Sequence, residues 1–300
     1  MKIAYLILAH TNPTHLQRLI SKLSTESSMF FIHVDKKTNV ETFKHISGAN
    51  IHILEDRVPV FWGDYSQVDA ILLLIKAALA NTSRFNRFLL LSGSDYPLRS
   101  VLSIENFFRN NPEKEFINFV AMPADSAGKP ISRLTTYRLA AGSNLVTKAL
   151  QKVQMMAHII PRYRDYKSCF VHLAPYGGST WWALTRNACE LISAFADSER
   201  KVMDFFRNTI CPDEMVFQTI LGNSPLKSNI VRNLTYTDWS DGSASPAFIT
   251  EKHLAFFENN STFPPDIVYG NGEMLFARKF SDKSSILLDR LDHQILELDR

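Results

Sequence analysis

Residues 3–8 read Ile-Ala-Tyr-Leu-Ile-Leu, an unbroken apolar run of strand length. Such a run is typical of a parallel strand that is buried on both faces of a sheet. Residues 11–13 follow with a capping threonine, an asparagine and a first-turn proline. Residues 16–23 then place apolar side chains at helical spacing. The stretch therefore predicts a buried strand that leads directly into an amphipathic helix.

The same alternation continues along the chain. We predict further strands at residues 30–34, 51–54, 88–91 and 233–239, and helices at residues 67–80, 186–195, 201–208, 251–257 and 284–298. Alternating strands and helices predict an open, mostly parallel sheet with right-handed crossovers, and hence the α/β class. In such sheets ligands bind beyond the carboxyl ends of the strands.

The composition favours a folded protein in a reducing compartment. The 300 residues are 45% hydrophobic and 21% charged, which is enough for a sizeable core and excludes disorder. A net charge of +3 is too weak to indicate a nucleic-acid partner. The three cysteines, Cys169, Cys189 and Cys211, lack metal-binding spacing and leave one unpaired in any disulfide scheme. With no apolar run of membrane-spanning length, we expect a soluble cytoplasmic protein.

Three polar segments follow predicted strands, at residues 9–12, 33–37 and 92–97. Asp35 and Asp95 each come directly after an apolar run. Such acids either cap the next helix or border a nucleotide crevice. The sequence contains neither a GxGxxG nor a GxxxxGK[ST] pattern, so a dinucleotide-binding Rossmann site and a P-loop are both disfavoured.

Residues 212–214 read Pro-Asp-Glu and open an apolar run at residues 215–221. Pro212 has its φ preset for a first helical turn, and the helix dipole tolerates Asp213 and Glu214 there. The motif predicts a helix start with ordinary capping. It is also a good position for a catalytic base, because a carboxylate at a helix start is held rigidly.

Aromatic and basic residues mark two further segments. Trp181 and Trp182 are adjacent in a predicted strand, so only one of them can face a pocket, and both can also belong to the core. Arg278 and Lys279 stand among apolar neighbours near the end of a strand. They are either solvated cations or ligands for an anionic group.

Several of these segments, in the same order, resemble the core-2/I-branching β-1,6-N-acetylglucosaminyltransferase family, which includes the peptide O-xylosyltransferases. The resemblance spans most of the chain and is carried by residues 9–10 (AH), 31–37 (FIHVDKK), 60–70 (VFWGDYSQVDA), 91–98 (LSGSDYPL), 178–185 (GSTWWALT), 212–214 (PDE) and 275–280 (LFARKF).

The resemblance implies a GT-A-type fold and an inverting transfer of GlcNAc or xylose from a UDP-sugar to an acceptor hydroxyl. We expect a single domain over residues 1–300. Its nucleotide-binding half would cover residues 1–120, its acceptor and catalytic half residues 121–283, and an amphipathic helix residues 284–300.

By the same resemblance, Glu214 is the expected general base, Lys279 binds the diphosphate and Asp35 lies at the nucleotide. The remaining candidates for the UDP-sugar are His10, Trp62, Asp95 and Arg278. The candidates for the acceptor are Arg133, Tyr137, Arg138, Trp181, Tyr236 and Trp239.

The resemblance also implies that no metal is needed. The family lacks the metal-binding Asp-x-Asp motif of most GT-A enzymes, and this sequence contains no Asp-x-Asp. We therefore expect no metal and no cofactor beyond the UDP-sugar co-substrate. Animal members use a second basic residue upstream of the lysine, but residues 243–249 contain no Arg or Lys. Lys252 is the nearest candidate to replace it.

The expected partners are a UDP-sugar and a glycan or lipid-linked glycan, with no nucleic acid. Animal members carry an anchor, a stem and many disulfides, whereas this sequence suggests a bacterial cytoplasmic enzyme of surface-glycan synthesis. The terminal helix is expected to dock on the domain, with shallow membrane contact as the alternative. Two other functions stay open, a non-catalytic glycan or sugar-nucleotide binding protein and a glycoside hydrolase, which needs two carboxylates.

Overall fold

The computed structural model describes residues 1–139, 144–160, 162–243 and 245–298, without the side chains of residues 147 and 295–298. Its strands are β1 Ile3–Ala9, β2 Ser28–Val34, β3 Ile51–Ile53, β4 Arg87–Ser92, β5 Asp95–Pro97, β6 Glu115–Ile117, β7 Val120–Ala121, β8 Tyr176–Gly177, β9 Trp182–Thr185, β10 Ile230–Val231, β11 Thr235–Thr237 and β12 Phe276–Arg278.

The α-helices are α1 Pro13–Leu23, α2 Ser66–Ala80, α3 Val101–Asn110, α4 Ser132–Thr135, α5 Leu145–Met156, α6 Lys167–Phe170, α7 Arg186–Ser198, α8 Arg200–Phe206, α9 Val216–Gly222, α10 Glu251–Asn259 and α11 Ser285–Leu298. Short 3₁₀ turns lie at Val40–Phe43, Asp125–Ala127, Pro212–Glu214, Pro225–Asn229 and Asp282–Ser284.

The central sheet has seven strands in the order β10-β6-β9-β4-β1-β2-β3. Strands β4, β1, β2 and β3 are parallel, and β9 is antiparallel to both β4 and β6. The predicted α/β class, with a mostly parallel central sheet flanked by helices, is therefore confirmed. The single-domain division into two halves stays a prediction.

The apolar run of β1 serves both faces of the sheet. Tyr5 and Ile7 pack in a cluster with α1, α3, α10 and α11, whereas Ala4 and Leu6 pack in a cluster with α2, α7, α8 and α9. Because successive side chains of a strand point to opposite faces, both parities must be apolar. This explains why the run that predicted the fold has no polar alternation.

A smaller sheet lies at the carboxyl end of β4. It has the order β11-β12-β5, and β5 begins three residues after β4 ends. In its register Arg278 of β12 lies opposite Asp95 of β5. The two predicted charged segments therefore meet at the sheet edge where ligands bind in open α/β folds.

The prediction that Pro212–Glu214 is the first turn of an α-helix is wrong. The motif forms a separate 3₁₀ turn, and α9 begins only after Met215, whose φ of −138° interrupts the helix. Cys211 adopts a left-handed φ of 47° while its backbone N–H donates to Gly63 O at 3.0 Å. This long-range contact fixes the chain that enters the turn. At its other end Glu214 O accepts from Gly178 N at 2.9 Å, so the last carbonyl of the turn is bonded to a distant loop.

The terminal helix α11 packs on the domain as expected. Leu288 and Leu291 are buried in the same cluster as α1, whereas Ile286 is exposed. The expected amphipathic helix also includes residues 295–298, whose side chains lie outside the described part of the structure. In the part of the chain that the structure describes, no helix is both long and apolar enough to cross a membrane. The cytoplasmic location stays a prediction.

Candidate active site

Glu214 ends the Pro212–Glu214 turn and is held by two cations. Its Oε2 atom accepts a hydrogen bond from Arg133 Nη1 at 2.7 Å and another from Lys129 Nζ. Among the described residues, no hydrogen bond or ion pair uses the other carboxylate oxygen, Oε1. The side chain is thus oriented through one oxygen while the second is left open.

Lys129 is a site residue that the sequence did not predict. It is only 5% exposed, and its backbone pairs with Ala124 in both directions at 2.9 Å. A Cβ atom on Gly177 would lie 3.0 Å from Lys129 Cγ, so this glycine makes room for the aliphatic stem. Because a buried ammonium needs a counter-charge, the contact with Glu214 also accounts for the burial of Lys129.

Asp213 is buried beside Glu214 and does not cap a helix. Its carboxylate accepts hydrogen bonds from Thr180 Oγ1 at 2.5 Å and from Gln67 Nε2 at 3.1 Å. Burial and then the neighbouring charge of Glu214 raise the pKa of Asp213 to about 6. Asp213 therefore fastens the turn to α2 and to the loop before β9, which is an orienting role.

Gly178 lets the loop before β9 contact the main chain of Glu214. Its backbone N–H donates to Glu214 O at 2.9 Å. A Cβ atom at this position would lie 1.7 Å from Asn118 O, so a larger residue does not fit. Asn118 Oδ1 in turn accepts from Asn233 N at 3.1 Å, and Asn233 Nδ2 donates to Ser179 Oγ at 3.0 Å. The loop that positions Glu214 is therefore held by close packing against Asn118 and by a hydrogen bond from Asn233.

The predicted donor side gathers charges around His10, which follows β1. Burial lowers the pKa of His10, and the positive charges of Lys37, Arg278 and Lys279 lower it further, against the opposing effect of Asp35. These groups come from the ends of β1, β2 and β12. The structure therefore brings His10, Asp35, Arg278 and Lys279 together at one edge of the sheet.

Asp35 lies just beyond β2 and does not cap a helix, because Asn39 caps the turn that follows. Its Oδ1 accepts from the backbone N–H groups of Lys37 at 2.9 Å and Val60 at 3.3 Å, and its Oδ2 lies 3.0 Å from Lys37 Nζ. Burial acts to raise the pKa of Asp35, but the hydrogen bonds from Lys37 and Val60 outweigh it and lower the pKa. Asp35 is thus a fixed anion at the carboxyl end of β2.

Asp95 and Arg278 form a buried pair. Asp95 is fully buried, its Oδ2 accepts from Ser92 N at 3.0 Å and its Oδ1 lies 3.2 Å from Arg278 Nε. Burial raises the pKa of Asp95 to about 6, although Arg278 and Ser92 act in the opposite direction. Ser100 caps α3, so the capping role considered for Asp95 is also wrong.

The other face of Arg278 is occupied by an aromatic ring. Its guanidinium carbon lies 4.3 Å from the ring centre of Trp181, a cation–π contact. Trp181 is 8% exposed and Trp182 3%, and both belong to the cluster under α2 and α9. The alternative in which both tryptophans are core residues is the one that the structure supports.

Lys279 is the least constrained cation of the predicted donor side. Its Nζ donates to Ser245 Oγ at 3.1 Å and lies 4.6 Å from the ring centre of Phe248. No ion pair joins it to a carboxylate of the described residues. Its backbone pairs with Ala247 and Ile249, so the segment that lacks a second cation lies directly beside it. Lys252 is exposed on the first turn of α10.

Trp62 stands beside the start of the Glu214 turn. It is 65% exposed, and the next residue, Gly63, accepts the Cys211 N–H. The guanidinium of Arg138 lies near Gly63, since a Cβ atom on Gly63 would be 3.8 Å from Arg138 Nη2.

The thiol of Cys211 is protonated at neutral pH. Burial, followed by the charges of Asp213 and Glu214, raises the pKa of Cys211 to about 11. Cys211 is therefore a neutral packing residue.

The predicted acceptor residues are not all at Glu214. Arg133 binds it directly, whereas Tyr137 lies under Arg164, whose guanidinium carbon is 5.7 Å from the ring centre. Tyr236 is half-buried in an aromatic group with Phe257 and other rings of α10. Trp239 is 53% exposed, and its Nε1 donates to Thr237 Oγ1.

A cavity of about 380 Å³ opens next to this group. Its lining joins amide and hydroxyl groups to aromatic and apolar side chains, including Asn118, Asn233, Tyr236, Phe263 and Ile267. Beside the cavity, the backbone N–H of Tyr269 donates to Oδ1 of Asp266, a lining residue, at 3.3 Å, and burial followed by the charges of Glu214 and Asp266 raises the pKa of Tyr269 to about 12. Polar groups around flat rings suit a sugar.

A larger cavity of about 840 Å³ lies at the opposite edge of the sheet, lined by Arg87, Arg109, Glu115, Arg186 and neighbours. It borders the amino ends of β1 and β4, whereas ligands of such sheets bind at the carboxyl ends. Arg87 there donates to the backbone carbonyls of Asn111, Pro112 and Lys114, and Glu115 accepts from Thr185. These contacts indicate a structural role.

The described residues contain no group of three or more His, Cys, Asp or Glu side chains placed to hold a metal ion. The metal-free reaction stays a prediction, because this observation concerns protein ligands alone.

Three site residues were missed from the sequence, namely Gln67, Lys129 and Thr180. Gln67 and Thr180 lie inside the quoted segments at residues 60–70 and 178–185, so a signal for them existed. Lys129 lies in none of those segments. Its only sequence signal is its place four residues before Arg133 in a segment free of acids.

The fold and site together define an α/β protein with one open carboxylate and a cationic edge beyond the strands of a mostly parallel sheet. Residues 3–258 match the family described as Core-2/I-Branching enzyme. The chain therefore belongs to this family of glycosyltransferases, and the predicted resemblance is confirmed.

Individual relatives agree with this assignment. The chain is 28% identical to rat (Rattus norvegicus) Xylosyltransferase 2 over 250 residues, covering 80% of this chain and 27% of the rat protein. It is 26% identical to dog (Canis lupus familiaris) Xylosyltransferase 1 over 251 residues, covering 80% and 24%. The chain thus spans about a quarter of the length of these relatives. The apo crystal structure of mouse Xyloside xylosyltransferase 1 aligns with 92% of this chain and 97% of the mouse chain, at 9% sequence identity. The TM-score of 0.39 shows only a distant structural similarity.

Proposed function

We propose that this chain transfers a sugar, xylose or GlcNAc, from a UDP-sugar to an acceptor hydroxyl with inversion at the anomeric carbon. One observation carries the proposal: both cations bind Oε2 of Glu214 and leave Oε1 open. A fixed carboxylate with an open oxygen is what general-base removal of a hydroxyl proton requires.

The step is an in-line displacement. The acceptor oxygen forms a bond to the anomeric carbon while the bond from that carbon to the UDP oxygen breaks. The hydroxyl proton passes to Oε1 of Glu214, and UDP leaves with the electron pair. The leaving diphosphate gains negative charge, which fixed cations stabilise.

Lys279 is assigned to the diphosphate because a neutral hydroxyl is its hydrogen-bond partner among the described residues. Arg278 is engaged by Asp95 and Trp181, so we assign it a positioning role instead. In this proposal the fold is of the GT-A type and the reaction needs no divalent metal.

The acceptor that we propose is a glycan, free or carried by a lipid. The cavity near Tyr236 supports it, since amides and aromatic rings are the groups that proteins use against sugars. The names of the relatives make UDP-xylose the first donor to test. A hydrolase is disfavoured because it needs a second carboxylate at the bond, and Asp213 is buried under Thr180 and Gln67.

The test follows UDP release from UDP-xylose and UDP-GlcNAc, with simple glycosides as acceptors, in the presence and absence of EDTA. Glu214→Gln should reduce transfer by about 10²–10⁴-fold and leave UDP binding intact. Glu190→Gln, an exposed glutamate on α7, is the matched control and should be fully active.

Each negative result has a distinct meaning. A protein that binds neither nucleotide sugar is not this transferase. A protein that binds one of them without ever breaking its glycosidic bond is a sugar-nucleotide binding protein. Full activity in Glu214→Gln excludes Glu214 as the base, and loss of activity in EDTA excludes the metal-free reaction.

A further inference from the structure

Helix α5 presents its apolar side to solvent. Leu145 is 86% exposed, Val146 68%, Leu150 59%, Val153 61% and Met156 81%. At 3.6 residues per turn these five side chains share one arc of about 140°. A water-exposed helix normally shows the reverse arrangement, with its apolar stripe against the core.

The side of α5 that is half-buried contains polar residues. Lys148 and Gln151 lie there with Met155. Lys148 and Lys152 lie along one edge of the exposed apolar arc, and Ile159 and Tyr163 are further exposed apolar side chains just after the helix. An exposed apolar stripe of this kind on a protein surface indicates a binding surface.

The charge of the surrounding segment indicates the kind of partner. Residues 126–164 contain seven Lys and Arg and no Asp or Glu, so the remainder of the chain has a net charge of −4. Lys129 and Arg133 are used by Glu214, and Arg164 donates to the backbone of Asn208. The other four cations are Arg138, Lys148, Lys152 and Arg162.

We propose that α5 docks on the surface of an anionic lipid bilayer. Its apolar arc enters the boundary between headgroups and acyl chains, and the lysines along one edge of the arc extend to the lipid phosphates. A second copy of the chain fits this face poorly, because a symmetric contact would bring the two sets of cations together. A neutral protein partner would leave the basic segment without a counter-charge.

This surface differs from the one expected from the sequence. The terminal helix α11 buries Leu288 and Leu291 in the core, so it lacks a comparable free stripe. The inference is independent of the proposed function, since lipid binding requires neither a UDP-sugar nor Glu214.

The experiment is co-sedimentation of the full chain with phosphatidylcholine vesicles, with and without phosphatidylglycerol, at low and physiological salt. We expect binding to the anionic vesicles that weakens with salt. Leu150→Gln/Val153→Gln should weaken it about tenfold or more, because two exposed anchors are lost. Lys148→Glu/Lys152→Glu should abolish the preference for anionic lipid.

Two variants serve as matched controls. Ile286→Gln on α11 and Leu102→Gln on α3 each remove an exposed apolar side chain elsewhere and should bind as the original chain does. Circular dichroism and UDP binding report whether each variant is folded. The proposal is overturned by unchanged binding in Leu150→Gln/Val153→Gln, by an equal loss in Ile286→Gln, or by no vesicle binding at all. A dimer in solution that these α5 substitutions dissociate, without vesicle binding, would overturn it in favour of a second copy.

Discussion

Asp95 Oδ1 and Arg278 Nε lie 3.2 Å apart across the paired strands β5 and β12. Asp95 is fully buried, and the opposite face of Arg278 rests on Trp181. The pair therefore fastens the loop after β4 to the strand that immediately precedes Lys279. In the proposed function Arg278 therefore positions Lys279 and does not bind the substrate, and this assignment can be tested directly.

Arg278→Met should lower the free energy of unfolding by about 3–5 kcal/mol, because it leaves the Asp95 carboxylate buried without a counter-ion. The double variant Asp95→Asn/Arg278→Met should recover much of that loss in urea unfolding at neutral pH. Arg186→Met, which removes an exposed pair with Glu190, should cost about 0–1 kcal/mol. Unchanged stability together with lost UDP binding would instead show that Arg278 contacts the diphosphate.

Gly178→Ala should destabilise the protein by about 3 kcal/mol or more, because the new methyl group meets a backbone carbonyl at 1.7 Å. Thermal unfolding measures the loss, and any folded fraction should show reduced transfer since Glu214 is displaced. Gly48→Ala is the control, as its methyl group would meet only flexible side-chain atoms at 3.3 Å or more. Equal melting temperatures for the two variants would contradict the packing argument.

Asp213 should make stability depend on pH. Burial raises its pKa to about 6, whereas an unfolded aspartate titrates near a pKa of about 3.9. Between these values the folded state retains a proton that the unfolded state has released, so the contribution of Asp213 to stability falls as pH rises from about 4 to about 6. The total effect is on the order of 2–3 kcal/mol.

Asp213→Asn removes this titration. The free energy of unfolding of the original chain, measured with urea relative to that of Asp213→Asn, should therefore decrease as the pH rises from about 4 to about 6. A difference that stays constant with pH would show that Asp213 titrates normally.

Lys129→Met should reduce kcat about 10²-fold with little change in the KM for the UDP-sugar, because Glu214 loses one of the two contacts that orient it. The steady-state rate of UDP release at varied donor concentration separates the two constants. Lys76→Met, at an exposed pair with Asp197, should leave both constants unchanged. A rise in KM alone would place Lys129 at the donor instead.

Lys279→Met should weaken UDP binding about 10–100-fold, the value of one charge-assisted contact to phosphate. Isothermal titration calorimetry with UDP measures this directly. Lys283→Met, an exposed lysine four residues later, is the control. Undiminished affinity for UDP in Lys279→Met would remove Lys279 from the diphosphate site.

Much of the fold was predictable because the strands of the parallel core are buried on both faces. The mainly apolar runs at residues 3–8, 30–34 and 88–91 predict buried strands from the local sequence alone. The Pro212 turn was not predictable in this way. Backbone hydrogen bonds to Gly63 and Gly178, both distant in sequence, hold its two ends, and no local sequence pattern indicates such contacts.

The same distinction applies to the site. Glu214 and Lys279 were named because they lie in motifs that resemble a known family. Lys129 reaches Glu214 because Gly177 has no side chain and leaves room for the aliphatic stem of the lysine. Arg278 reaches Asp95 because the register of β5 and β12 places the two residues opposite each other. Such partners are separated by tens to hundreds of residues, so their pairing became visible only in three dimensions.

The acid-free segment at residues 126–164 contains both the cations that orient Glu214 and the helix that we assign to the lipid surface. An enzyme docked in this way meets a lipid-carried acceptor by lateral diffusion in two dimensions. Its turnover would then follow the mole fraction of acceptor within the bilayer. Diluting the acceptor with inert lipid would slow the reaction, whereas diluting the whole suspension would hardly affect it as long as the enzyme stays bound.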